Sequence, residues 1–128
     1  MSNYLKVVEF MKAMGQEVRR WPSWPSWETV RLRCDLIDEE VSELHEGVLD
    51  RDLVSIADAI ADILYVTYGM AAAFGMDADA LFAEVHRSNM SKLGPDGKPI
   101  YREDGKILKP ATYSPPNITG VLNAGAGV

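Results

Sequence analysis

Apolar residues recur at helical spacing through the first ninety or so positions, and the longest apolar stretch, LVSIADAIADILYVTYGMAAAF from Leu53 to Phe74, carries only two charges, Asp58 and Asp62. At ~100° per residue, Asp58, Asp62, Tyr65 and Gly69 fall in one line, while Ile56, Ile60, Ile63 and Thr67 gather on the other side. A helix that is apolar nearly all round is expected to be a buried one. Two carboxylates one turn apart in such surroundings need pairing, protonation or a cation, and the stretch itself holds no Lys, Arg or His. The length would suit a membrane span, but each mid-span Asp costs ~2.5 to 3.5 kcal/mol and no basic flank follows, so no membrane insertion is expected.

Upstream, Tyr4, Val7, Met11, Met14 and Val18 predict an amphipathic helix over 3–18, with Met14-Gly15 as an early stop. The Trp21-Pro-Ser-Trp-Pro-Ser-Trp27 repeat then favours an extended, aromatic loop, whose Trp residues either pack across the bundle or, with Trp24, form a stacking wall for a base. Ser26 is the expected N-cap of a long helix from Trp27 to about Val48. Its core stripe is expected at Val30, Cys34, Ile37, Val41, Leu44 and Val48, with Leu36, Glu40 and Glu43 as a second row on the flank. Gly47 and Asp50-Arg51-Asp52 predict a short turn, so that this helix and the apolar one form an antiparallel hairpin. Asp77 caps a last helix, on which Phe82, Val85, Asn89 and Lys92 share a face; His45 and His86 read as surface residues.

From Leu93 the composition turns to glycine, proline and polar residues, with Asp-Gly-Lys turns at 96–98 and 104–106 around a short extended piece. Lys98, Lys106 and Lys109 either reach phosphates or stay solvated in their turns, and the terminal NAGAGV is expected to be mobile. The whole reads as one all-α domain, a four-helix bundle core with an irregular C-terminal tail: N-terminal helix and Trp/Pro loop over 1–26, the site-bearing helices over 27–92, the tail over 93–128. A chain of 128 residues has little apolar material to spare, and its apolar surface points to a homo-oligomer.

A net charge of −6 with no basic stripe speaks against nucleic acid as a partner. The single cysteine, Cys34, rules out an internal disulfide framework, and the N-terminal MSNYLKVVEF lacks a secretion signal, so a cytoplasmic protein is expected. The hairpin can bring Glu40 and Glu43 toward Asp58 and Asp62, and four carboxylates from two facing helices suit Mg²⁺ or Mn²⁺.

Glu39-Glu40-x-x-Glu43, the Asp of Ala61-Asp62-Ile-Leu-Tyr65 and the sequence His86-Arg87-Ser88-Asn89-Met90-Ser91-Lys92 together resemble the MazG-like all-alpha nucleotide pyrophosphohydrolases, over roughly Arg31 to Lys92. The resemblance implies Mg²⁺-dependent hydrolysis of a nucleoside triphosphate to monophosphate and pyrophosphate by a dimer or tetramer. It implies Glu40, Glu43 and Asp62 as metal ligands, and Asn89, Lys92 and Tyr65 on the phosphates or sugar. Family habit favours a deoxynucleotide, with dGTP the expected purine, although no residue singles out the base. The family carries a Glu three residues before the Asp; here Ala59 stands there, and Asp58 is the substitute. Glu39 is the candidate general base, although it points about 100° away from Glu40. The alternatives are a phosphoribosyl-ATP pyrophosphohydrolase, which shares the fold and the carboxylates, and a helical interaction module without catalysis.

Overall fold

Four short polar side chains start the four long helices. Ser2, Ser26, Asp52 and Asp77 each accept a hydrogen bond from a backbone N–H in the first turn beyond them, satisfying donors that have no partner within the helix. The helices are α1 (Asn3–Ala13), α2 (Trp27–Leu49), α3 (Leu53–Ala73) and α4 (Ala78–Met90). Two short strands, β1 (Ile100–Tyr101) and β2 (Ile107–Leu108), pair antiparallel with Ile100 opposite Leu108, and α5 (Ile118–Gly125) follows. The computed structural model describes residues 1–125; the last three residues of the predicted mobile end lie outside the described residues.

The all-α expectation holds, with α1 and α2 both laid against α3. Tyr4, Val7 and Met11 of α1 form the main core with Ala72 of α3, edged by Val8, Val18 and Tyr68. Met14 and Gly15 end α1, as their sequence suggests; Gly15 takes a φ of 71°.

The face of α2 turned toward α3 differs from the expected stripe. Val30, Arg33 and Gly47 are buried, with Ile37, Glu40 and Leu44 half-buried between them, in alternating steps of three and four. Cys34 and Val48, both expected inside, are exposed. Gly47 is a point of helix contact and not a turn residue: a Cβ there would lie 3.2 Å from the Ile56 N and from the Ser55 Cβ. The tight Asp50-Arg51-Asp52 connection, with Arg51 at a φ of 52°, makes this approach possible.

The expectation of a buried α3 is overturned. Only Ala59, Gly69, Ala72 and Ala73 are buried, while Leu53 is 80% and Val54 79% exposed. Three neighbouring helices of one chain cannot surround a helix of this length. On α4, Phe82, Val85 and Asn89 of the expected face are likewise outward, Lys92 lies half-buried beyond the helix end, and the buried residue of α4 is Ser88.

The tail is less irregular than its composition suggests, because a polar stripe on α4 holds it. The Ser114 N–H donates to the Ser91 Oγ at 2.8 Å, the Arg87 Nη2 to the Pro115 carbonyl at 3.2 Å, and the Asn117 N–H to the Glu84 Oε2 at 2.6 Å. Glu84, Arg87 and Ser91 sit three and four apart, so one face of α4 grips successive tail residues. Asn117 then accepts from the Gly120 N–H, and a helix runs through to Gly125 where mobility was expected.

The Trp/Pro loop is strapped over the end of α3, with the Arg19 N–H on the Ala72 carbonyl at 3.1 Å and the Ser23 N–H on the Phe74 carbonyl at 2.9 Å. Gly75, at a φ of 71°, leaves room for this strap: a Cβ there would sit 2.1 Å from the Trp21 carbonyl oxygen. Gly75→Ala is therefore expected to cost about 3 kcal/mol or more, from the left-handed backbone and an immovable clash together. Gly15→Ala, at the same φ with open space around it, is expected to cost only about 1 kcal/mol. Urea unfolding checks the difference, and equal losses would contradict the strap.

Candidate metal centre

Glu40 lies ten residues before Asp50 and Asp62 ten residues after Asp52, so the hairpin sets them level, each about 15 Å from the turn. Glu43, one turn nearer, completes the group. One carboxylate oxygen from each of Glu40, Glu43 and Asp62 lies within 4.8 Å of the others. Glu40 and Asp62 are half-buried; Glu43 faces solvent.

The electrostatics are those of crowded acids. Burial, a hydrogen bond shared with Glu43 and the negative charges of Glu43, Asp62 and Glu39 push the Glu40 carboxyl up to about 7. The Glu40 Oε2 is out of water and has no hydrogen-bond partner. A buried carboxylate oxygen without a donor, in a field of like charge, calls for a proton or a cation. Three hard oxygen donors converging from two rigid helices fit a small divalent cation.

Asp58 does not join them. It sits one turn toward the hairpin end of α3, exposed, and outside the group of converging oxygens. Ala59, where the resemblance leads one to expect a Glu, is 1% exposed and brings no carboxylate to the group. Glu39 is also exposed and outside the group, though close enough for its charge to act on Glu40.

The other expected residues are dispersed. The Tyr65 ring meets Phe10 of α1 edge-on, with centroids 5.6 Å apart, one turn along α3 from Asp62. The Lys92 Nζ donates to the Asn89 Oδ1 at 3.1 Å, so these two form one polar unit at the end of α4. Trp24 packs edge-on against Phe74, 5.3 Å between centroids, which lies about 18 Å along α3 from Asp62. It is thus directed to the far end of the bundle and not to the carboxylates of its own chain. Lys109 lies over the Tyr113 ring at 4.8 Å, occupied within the tail. His45 and His86 are exposed, as expected.

A cavity of about 740 Å³, lined by Tyr4, Arg19, Asp77, Asp79 and Val121, opens at that far end too. Its Gly75 edge is about 20 Å along α3 from Asp62, so it is separate from the carboxylates.

Arg33 was not among the expected site residues. It is 6% exposed, and its guanidinium lies against Gly69, where a Cβ would come within 2.7 Å of Nη1. An expected stripe built from apolar residues passed over it. The signal was there in its spacing, since 33, 37, 40 and 44 step as one face of a helix.

The all-α fold is consistent with the all-alpha nucleotide pyrophosphohydrolase superfamily. Within it, the chain belongs to the phosphoribosyl-ATP pyrophosphohydrolase family, whose model matches residues 7–89. It is also similar to an uncharacterised protein of Acanthamoeba polyphaga mimivirus, 34% identical over 112 residues. That match covers 84% of this chain, and the chain spans 42% of the length of the viral protein.

The raised Glu40 carboxyl has a consequence for stability. The folded chain holds that proton more tightly than the unfolded chain, whose Glu titrates near 4.5, so the stabilisation is complete below 4.5 and is lost as the pH rises to about 7. In chelator, the melting temperature should fall across that window, and Glu40→Gln should flatten the fall. An unchanged slope in the variant would remove Glu40 as its cause.

Proposed function

We propose that this chain is a divalent-metal-dependent nucleoside triphosphate pyrophosphohydrolase, acting in the cytoplasm and hydrolysing a deoxynucleoside triphosphate to the monophosphate and pyrophosphate. The observation that carries the reading is the Glu40, Glu43 and Asp62 group with its unpartnered Glu40 oxygen, in a chain of this family. These three residues would hold Mg²⁺, or Mn²⁺ in its place. A bound ion supplies Lewis-acid stabilisation of the charge on the phosphates.

The chain's own groups divide the remaining work. Glu39, exposed beside the cluster, takes the proton from water as the water oxygen bonds to phosphorus and the phosphoanhydride breaks, pyrophosphate leaving. Asn89, in the last turn of α4, and Lys92 just beyond that helix form one polar unit. From there Lys92 acts as a point cation on the phosphates, fixed by Asn89. Tyr65 flanks the sugar one turn from Asp62.

A second reading has a specific observation behind it, the family match itself: the nucleotide is phosphoribosyl-ATP, and the bond broken is again a phosphoanhydride. Pyrophosphate release from the dNTPs and NTPs, with Mg²⁺ or Mn²⁺, tests the first; complementation of a histidine auxotroph tests the second. Glu43→Gln and Asp62→Asn are each expected to lower turnover at least about 100-fold through loss of a metal ligand. Full turnover in either variant would contradict its place in the site, and no turnover of any nucleotide by folded wild-type protein would contradict the first reading.

The outward face of α3 bears on assembly. Leu53, Ala57, Ile60 and Leu64 form a seam in steps of four and three, with Ile60 50% and Leu64 53% exposed. The helix is also long and apolar enough to cross a membrane. Asp58 and Asp62 stand against burial in lipid, and a second copy covering the seam fits both the spacing and the charges. Ile60→Asp with Leu64→Asp should convert a dimer or tetramer to monomer in analytical ultracentrifugation. A wild-type monomer would exclude this assembly.

A further inference from the structure

The far end of the bundle holds an open cavity that the carboxylate centre does not use. Its volume is about 740 Å³, and it lies where α1, the Trp/Pro loop, α4 and α5 meet. Leu5, Pro22, Ala80, Val121 and Leu122 give it apolar walls. No residue of α5 is buried, so this helix roofs a space with Val121 and Leu122 only half-buried at its edge. An apolar body of small-ligand size would supply the contacts these side chains lack.

The polar groups of the lining differ in what they have left to offer. Tyr4 is 9% exposed, and its hydroxyl makes no hydrogen bond among the described residues. Burial, then the negative charges of Asp77 and Asp79, raise its pKa, which sets both carboxylates near the phenol. Each carboxylate is half committed. The Asp77 Oδ1 accepts from the Ala80 N–H and the Asp79 Oδ2 from the Ser2 hydroxyl at 2.6 Å, and among the described residues neither is in an ion pair. Glu84, by contrast, is taken by Arg87 and Asn117, and Arg19 is engaged with Glu17 and Ser23. That leaves the Asp77 Oδ2, the Asp79 Oδ1 and the Tyr4 Oη as three acceptors, two of them charged. An ammonium group brings three N–H donors and one positive charge. The nearly buried phenol oxygen without a donor is the costly member that such a group relieves.

We propose that this cavity binds a small organic ammonium ion, with its N–H groups on Tyr4, Asp77 and Asp79 and its apolar body under Val121 and Leu122. A simple amine and an amino acid share that chemistry. Arg20, which lines the cavity and has no partner among the described residues, separates them, since it would take the carboxylate of an amino acid. Binding here draws on none of the nucleotide chemistry proposed for Glu40, Glu43 and Asp62.

Calorimetric titration of 2-phenylethylamine, phenylalanine and 2-phenylethanol into the intact chain tests the contact. At least one of the two ammonium compounds should bind with a Kd of about 1 mM or tighter, and the alcohol, with the same body and no charge, at least about tenfold more weakly. Phenylalanine ahead of the amine, with that lead lost in Arg20→Ala, marks an amino acid site; an amine at least as tight marks a site for simple amines, and either result upholds the ammonium contact. Asp77→Asn keeps a capping side chain and Asp79→Asn keeps an acceptor for Ser2, while each removes a charge, so each should weaken the tighter ligand about tenfold. Tyr4→Phe removes the hydroxyl alone and should weaken it about threefold. Amide hydrogen exchange over 118–125 should slow in the complex. Equal binding of amine and alcohol, binding of neither ammonium compound, full affinity in both Asp variants, or binding that leaves exchange over 118–125 unaltered would each overturn the proposal.

Discussion

Acidic side chains held between two close-packed helices set the terms for this molecule. α2 and α3 approach closely at Gly47, where only a hydrogen leaves room for the Ile56 backbone, and that approach carries Glu40 and Glu43 up to Asp62. Like charges drawn together out of water oppose the packing that gathers them. The chain relieves the conflict by keeping a proton on Glu40 to about neutral pH, and a cation would relieve it further. The same geometry that strains the fold thus makes the site.

Much of the remaining structure keeps those two helices in register. The short turn through Arg51 fixes their start, with Asp52 accepting from the Val54 and Ser55 N–H groups. At the other end the Trp/Pro loop is hydrogen-bonded across the last carbonyls of α3 and seated on Gly75. Between these ends Arg33 fills the space over Gly69, so the interface alternates close backbone approach with a buried polar group. The tail contributes differently. It is held through Glu84, whose carboxyl the Arg87 guanidinium and the Asn117 N–H draw down to about 2, so that this grip persists well into acid.

The apolar content of α3 serves two surfaces. Its small residues, Ala59, Gly69, Ala72 and Ala73, face the neighbouring helices and allow close contact. Of its large ones, Leu53, Val54, Ile60 and Leu64 face outward, while Ile56, Ile63 and Val66 are half-buried. Small residues inside with large ones left open inverts what a monomer's core helix would show, which is why a second copy is proposed to cover α3.

Helix starts, helix lengths and the hairpin were legible in the sequence because they depend on local chemistry: a capping side chain, a run of good helix formers, a glycine stop. The acid cluster was legible for a related reason, since equal distances from one turn bring Glu40 and Asp62 level whatever else the chain does. The direction each helix faces was not legible. Polarity placed Cys34 and Val48 inside and left Arg33 out of the expected stripe, but packing against α3 selected positions 33, 40 and 47 by spacing and by the room that Gly69 and Gly47 allow. Hydropathy likewise could not tell a helix buried by its own chain from one left with an open seam, and it left Asp58, one turn from Asp62, open between the cluster and solvent. The sequence by itself determined the helices and the level at which the acids meet, because short-range rules govern both. Only the tertiary structure decided which side chains the helices enclose, because that depends on backbones approaching closely enough to exclude everything except a hydrogen or a fitted guanidinium.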